Sequence, residues 1–305
     1  MSAPEVVGIG ANVCDTLIVL PRYTPEDTKQ KADAVSRAGG GPCATGLVAA
    51  AKLGVRAAML GNLSSDGDGD FLLSDFERFG VGTAYLHRLP DCRAFTSYVM
   101  LSRESASRTI VFDRGNVPPL VPDDAQLAAV RDARVLLVDG NELDAAVTAA
   151  TVARESGTTV VYDAGGRYAG VERLLPLCDY LIPSEEFALG VTGERDAAAA
   201  ARALHARYRP RAVIVTQGKA GGVYFDGADM RPYPAFPVDT VDSNGAGDVF
   251  HGAFCAALVR GMDPYTACIF SSAVSAVKCT RIGSRDGVPD YETTLQFLKE
   301  HGYEL

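Results

Sequence analysis

Asp242-Ser243-Asn244-Gly245-Ala246-Gly247-Asp248 runs directly into an apolar stretch, 249–259, that closes on Arg260-Gly261. The length of that stretch, with a basic residue and a glycine at its end, predicts a helix. The small residues ahead of it let a ligand approach the backbone closely. The loop therefore lies at a helix N-terminus, where unbonded N–H groups and the helix dipole favour an anion. Asp248 sets a carboxylate beside that anion site. Amide donors for a phosphate next to a group able to take a proton are what phosphoryl transfer to a hydroxyl requires.

Upstream of this loop, short apolar runs recur at 6–9, 57–60, 135–138, 159–162, 180–182 and 212–216, with alanine-rich helical stretches at 45–53, 71–79, 145–155 and 196–208 between several of them. Strand and helix alternating at this interval predict βαβ units and an α/β fold with a mostly parallel sheet covered on both faces. From 249 onward the pattern is helical, continuing through 264–280 and 291–300. Two segments break the rhythm, 14–37 and 94–112. The first alternates apolar with polar residues and the second reads as a hairpin, 95–101 and 108–112, around a polar turn; both look like antiparallel strands with one solvated face, a small β lid inserted into one α/β domain spanning 1–305.

The chain has 305 residues, 47% hydrophobic and 22% charged, with a net charge of −9. That balance argues against a general nucleic-acid or anionic-membrane binder, while a local cradle of N–H groups can still hold an anionic nucleotide. The first residues are not basic and no apolar run reaches 18 residues, so neither a signal peptide nor a membrane span is expected. Seven cysteines form an odd set without a C-x-x-C pair, as expected for a reduced cytoplasmic setting. The four histidines are scattered and show no zinc spacing.

Four further motifs carry polar or glycine-rich signals. Gly39-Gly40-Gly41 precedes a helix and leaves room for a bound molecule and a lid hinge. Gly8-Ile9-Gly10-Ala11-Asn12, with Asp15 beyond, offers side chains suited to sugar hydroxyls; Val13 stands where a dinucleotide fingerprint needs its third glycine. The segment 213–222 mimics a P-loop at Gly218-Lys219 but has Val213 and Ala220 at positions that need Gly and Ser or Thr. Ser184-Glu185-Glu186 opens a helix after a buried strand. Ser184 reads as an N-cap, and either glutamate suits orienting water on a magnesium ion.

Taken in order, these motifs resemble the ribokinase, or PfkB, family of sugar kinases over nearly the whole chain. The 242–248 loop resembles the carboxy-terminal signature, 39–46 the amino-terminal di-glycine signature, 216–218 the nucleotide-binding turn, and 271–289 the helix and loop beside the adenine. The resemblance implies a three-layer α/β fold with a β lid, and transfer of the ATP γ-phosphate, with Mg2+, to a primary alcohol of a ribose- or ketose-like sugar. By that match Asp248 is the base, and the amides of Gly245, Ala246 and Gly247 form the anion hole. Asn12, Asp15, Gly39, Gly40 and Gly41 hold the sugar. Ser184, Thr216, Gly218, Gly221, Asp242, Gly245, Gly247, Ser272 and Gly283 border the nucleotide. Thr45 stands where the family usually has Asn, which turns a long amide contact into a short hydroxyl. Arg108, on the lid hairpin, lies where it can reach over the substrate. The magnesium-orienting residue is Glu185 or Glu186. Asp248, at a helix N-terminus, is expected to stay ionised. An adenosine-like acceptor is the alternative, and an exposed lid edge offers a route to a homodimer.

Overall fold

The computed structural model describes residues 3–105, 107–166 and 168–305. Its strands are β1 (Val6–Ile9), β2 (Val13–Leu20), β3 (Ala34–Gly40), β4 (Ala57–Ser64), β5 (Gly82–Leu89), β6 (Thr96–Ser102), β7 (Ser107–Asp113), β8 (Val135–Val138), β9 (Thr159–Ala164), β10 (Tyr180–Pro183), β11 (Ala212–Thr216), β12 (Gly222–Phe225) and β13 (Met230–Tyr233). Its helices are α1 (Pro42–Lys52), α2 (Gly67–Phe79), α3 (Asp124–Asp132), α4 (Leu143–Ser156), α5 (Glu185–Thr192), α6 (Ala197–Tyr208), α7 (Ala246–Val259), α8 (Pro264–Cys279) and α9 (Tyr291–Glu300).

The large sheet has nine strands in the order β13-β12-β11-β10-β9-β8-β1-β4-β5. It is parallel from β5 to β11, and β12 and β13 close one edge antiparallel. Successive residues of its central strands enter different cores. Val6 and Ile214 pack with α1, α7 and α8 on one face, while Val7, Val213 and Val215 pack with α4 and α6 on the other. Strands buried on both faces need this continuous apolar character, and helices on both faces give three layers. On the first face α1 and α7 meet backbone to backbone: a Cβ on Gly252 would run into the carbonyl of Gly46. This close crossing brings the N-terminal turns of the two helices together.

The second sheet has the order β3-β2-β6-β7. Both inserted segments contribute to it, as expected, but it is mixed rather than antiparallel. β2 pairs parallel with β6, and each then pairs antiparallel with its own partner, β3 or β7. The reason is topological. β2 and β6 both rise from the large sheet, after β1 and β5, so they run in the same direction, and each returns through its own neighbour. β3 extends through Gly39 and Gly40, so two of the three expected hinge glycines are strand residues and only Gly41, with φ 93°, precedes α1. Among the described residues no helix is long and apolar enough to cross a membrane. All seven cysteines are free thiols.

Candidate active site

The loop 242–248 is held by Asp242. Its Oδ1 accepts the Asn244 N–H (2.8 Å) and its Oδ2 accepts the Gly283 N–H (2.9 Å). Gly245, at φ 76°, turns the chain into α7. The Ala246 N–H is not free for an anion, because it donates to the Ser243 carbonyl at 3.2 Å. The N–H groups of Gly245, Gly247 and Asp248 find no acceptor among the described residues. The unbonded N–H groups at this turn are thus those of Gly245, Gly247 and Asp248, where the expectation named Gly245, Ala246 and Gly247.

Asp248 lies in the first turn of α7, part-exposed. Burial of its carboxyl, followed by the nearby charge of Asp163, pushes its pKa up to about 7, and His251 and Lys278 pull in the other direction. The helix N-terminus favours the anion, as expected of its position, while desolvation and a neighbouring acid act against it. Asp163, on β9 and 3% exposed, is pushed to about 8 by burial and by Asp139. One helical turn beyond Asp248, His251 places Nδ1 2.7 Å from the Gly247 carbonyl and 3.1 Å from Asp163 Oδ2, with Nε2 2.9 Å from the Ile182 carbonyl. Burial depresses its pKa.

The opposite side of the cleft is organised by Asp139, just beyond β8. Its Oδ2 accepts the N–H of Ala11 (2.8 Å) and Cys43 (3.1 Å), and its Oδ1 that of Asn141 (2.9 Å). The chain after β1 is thereby clamped at the C-terminal end of the parallel strands, where open α/β sheets bind ligands. Asn12 follows, with Oδ1 and Nδ2 both buried and unpartnered among the described residues. It borders a cavity of about 570 Å³ that Glu142 and Asn141 also line. Asp15, on β2 and 8% exposed, accepts from Ser97 Oγ of β6 at 2.6 Å, and burial raises its pKa. A Cβ on Gly40 would run into the Asp15 carboxylate and displace it.

Arg285 ties the two sides together. It is 2% exposed; Nη1 meets Asp75 Oδ2 at 2.6 Å and Nη2 donates to the Gly40 carbonyl at 2.7 Å. Burial lowers its pKa, and Asp75, then Asp15 and Asp248, act in the opposite direction. Thr45 is fully buried, its Oγ1 3.5 Å from Arg285 Nε, so in this conformation its hydroxyl faces the guanidinium and not the open cleft. Arg108 stands on β7, which is exposed along its whole length.

Of the residues expected to border the nucleotide, Thr216 ends β11 with Oγ1 3.4 Å from the Pro183 carbonyl, and Gly218 and Gly221 follow at φ 55° and 80°. Three expected contacts are already engaged within the chain. Ser184 Oγ caps α5 by accepting from Phe187 N–H (3.2 Å), Ser272 Oγ donates to the Pro234 carbonyl (2.6 Å), and the buried Gly283 gives its N–H to Asp242. Glu185 is half-buried, with Oε1 accepting from Gln217 Nε2 at 2.8 Å, whereas Glu186 is exposed. Among the described residues no three His, Cys, Asp or Glu side chains converge as a metal-binding group.

Sequence reasoning did not single out Asp75, Glu142, His251, Lys278 or Arg285, and Asp139 and Asp163 lie just beyond the apolar runs 135–138 and 159–162 that it read as strands. The signal available for His251 was a histidine inside an apolar run three residues after Asp248. For Arg285 it was an arginine between glycines after a long apolar helix.

The pattern described as "pfkB family carbohydrate kinase" matches residues 6–291. The chain belongs to that family and is an ATP-dependent sugar kinase. It is 25% identical to the ribokinase of Haemophilus influenzae over 298 residues, covering 95% of this chain and 97% of that protein. Among solved structures it resembles one from Agrobacterium tumefaciens described as a candidate ribokinase (TM-score 0.91, 28% identity, covering 99% of this chain and 100% of that one). It also resembles the ribokinase of Arabidopsis thaliana complexed with ribose and ATP (TM-score 0.87, 25% identity, covering 98% and 99%).

Proposed function

We propose that this kinase phosphorylates a primary hydroxyl of a ribose- or ketose-like sugar, with Asp248 taking the hydroxyl proton and the N–H groups of Gly245, Gly247 and Asp248 receiving the transferred phosphate. The observation that carries the reading is one helix turn that offers unbonded N–H donors and a carboxyl whose pKa lies near neutrality. Near-neutral pKa makes a carboxylate a better base at working pH than an ordinary one. Phosphoryl transfer has a loose transition state in most analyses, so positioning and charge stabilisation dominate and the proton leaves late.

Asn12 and Asp15 hold the sugar hydroxyls in this account, with Glu142 as a third partner across the cavity. Unpartnered amide atoms on Asn12 support this, because buried polar groups without partners are uncommon in folded proteins. Thr216, Gly218 and Gly221 border the nucleotide. Glu185, oriented by Gln217 and with its second oxygen spare among the described residues, fits a water-mediated hold on Mg2+; when bound, the ion would neutralise charge on the phosphate oxygens. A homodimer through the lid sheet is part of the same proposal, supported by Val35, Tyr98, Ile110, Val111 and Phe112, which are 46–64% exposed there. So is a cytoplasmic location, supported by the seven free thiols.

The test is an acceptor panel of pentoses, ketohexoses and nucleosides with Mg·ATP, read by ADP release. The proposal expects turnover with a pentose or ketose. Turnover with adenosine alone, or with none of the panel, overturns it.

A further inference from the structure

Lys278, in the last turn of α8, is 0% exposed. A lysine is almost never fully buried unless it is paired, and among the described residues this one has no carboxylate within ion-pair distance. Its ammonium donates instead to two backbone carbonyls of the phosphate-side loop, those of Asp242 (2.8 Å) and Asn244. The adjacent Cys279 carbonyl accepts the N–H groups of Val241 and Asp242 at 2.8 and 3.1 Å. The end of α8 thus holds the loop from beneath at four points.

The peptide plane converts that anchorage into a direction. No described peptide bond is cis, and in a trans peptide the C=O and N–H point opposite ways. With the Asn244 oxygen turned down onto Lys278, the Gly245 N–H of the same peptide must point up, away from α8 and toward the open side of the loop. A cation on the oxygen also polarises the peptide and strengthens its N–H as a donor, as in a hydrogen-bond chain. We propose that Lys278 is a positioning residue for phosphoryl transfer, an internal cation that aims and polarises the Asn244–Gly245 peptide toward the phosphate. Burial lowers its pKa, and the nearby Asp242, Cys279 and Asp248 act in the opposite direction.

The inference rests on the kinase reading above, and its test separates the two. Lys278→Met keeps the unbranched stem without the donors; Lys278→Ala opens a space floored by the two carbonyls. Both variants are expected to lose about 100-fold in kcat, the scale of removing one preorganised oxyanion donor, while the sugar KM moves little. Ammonium or methylammonium should restore a large part of the rate to Lys278→Ala, restore none to Lys278→Met, and leave the native rate unchanged, with choline at equal ionic strength as control. A purely structural role would lower the melting temperature without permitting rescue by a small amine. A folded Lys278→Met with near-native kcat overturns the inference, as does a folded Lys278→Ala that ammonium does not restore. If Lys278→Ala does not fold, the kcat of Lys278→Met decides. A native chain inactive on every acceptor would instead sink the functional reading.

Discussion

Arg285→Met is expected to destabilise the chain and loosen the sugar side at once. The guanidinium is buried against Asp75, the Gly40 carbonyl and Thr45. Removing one member of a buried ion pair leaves the other charge stranded, which costs about 3–5 kcal/mol. The neighbouring Arg78, 3.9 Å from Asp75, offers slight relief and favours the lower end. With an unfolding entropy of about 2.1 cal/mol/K per residue, a chain of 305 residues loses about 1.6 °C per kcal/mol, so melting should fall by about 5–8 °C. Asp75→Leu/Arg285→Met should recover most of that loss, because replacing both partners by apolar groups is often near neutral. The sugar KM should rise in Arg285→Met, since the strand carrying Gly40 beside Asp15 loses its anchor. Calorimetry on the two single variants and the double one closes the cycle. An Arg285→Met that melts with the native chain, or a double variant no better than the single, would refute the reasoning.

Three other outcomes follow from the same structure. Since burial raises the Asp248 carboxyl to about 7, kcat/KM for the sugar should fall as pH drops through about 7; a limb at the ordinary aspartate value of about 4 contradicts that raised pKa. Asp163 itself, raised from 3.8 to about 8, keeps in the fold a proton that the unfolded chain has released. Its contribution is therefore fully present below about pH 4 and is lost as pH rises toward 8, at up to about 1.4 kcal/mol per unit; urea unfolding at pH 6 and 9 should show Asp163→Asn gaining on the native chain at the higher pH, and no gain contradicts it. Val111→Lys on the exposed β7 should turn a dimer into a monomer in light scattering, an expectation that a monomeric native chain removes.

The elements most legible in the sequence are those with unbroken apolar runs between polar ends. β1, β8, β11 and α9 begin and end where the pattern says. α2 starts four residues earlier than expected: Gly67-Asp68-Gly69-Asp70 reads as loop, but Asp66 accepts from the Gly69 N–H and caps a helix there. α3 escaped notice despite its Asp123–Gln126 capping box, being short and mixed in composition. β13 carries Arg231 and Pro232, tolerable only because it is an edge strand. The parallel pairing of β2 with β6 has no local signal, since it depends on how two distant segments leave the core. The same division holds for the site. The loop at 242–248 announces itself because its chemistry is contiguous. Arg285 and Lys278 acquire their meaning from partners 210 residues (Asp75) and 34–36 residues (Asn244, Asp242) away, which no spacing rule reveals.

The account stands most directly on the carboxyl of Asp248. Asp248→Asn preserves its size and position at the start of α7 and removes its capacity to take a proton. With the acceptor found in the panel and saturating Mg·ATP, kcat should fall by about 10²–10⁴-fold, the usual contribution of a positioned base, while the dissociation constant for ATP stays near the native value. A folded Asp248→Asn that turns over at a near-native rate would contradict the account at its centre.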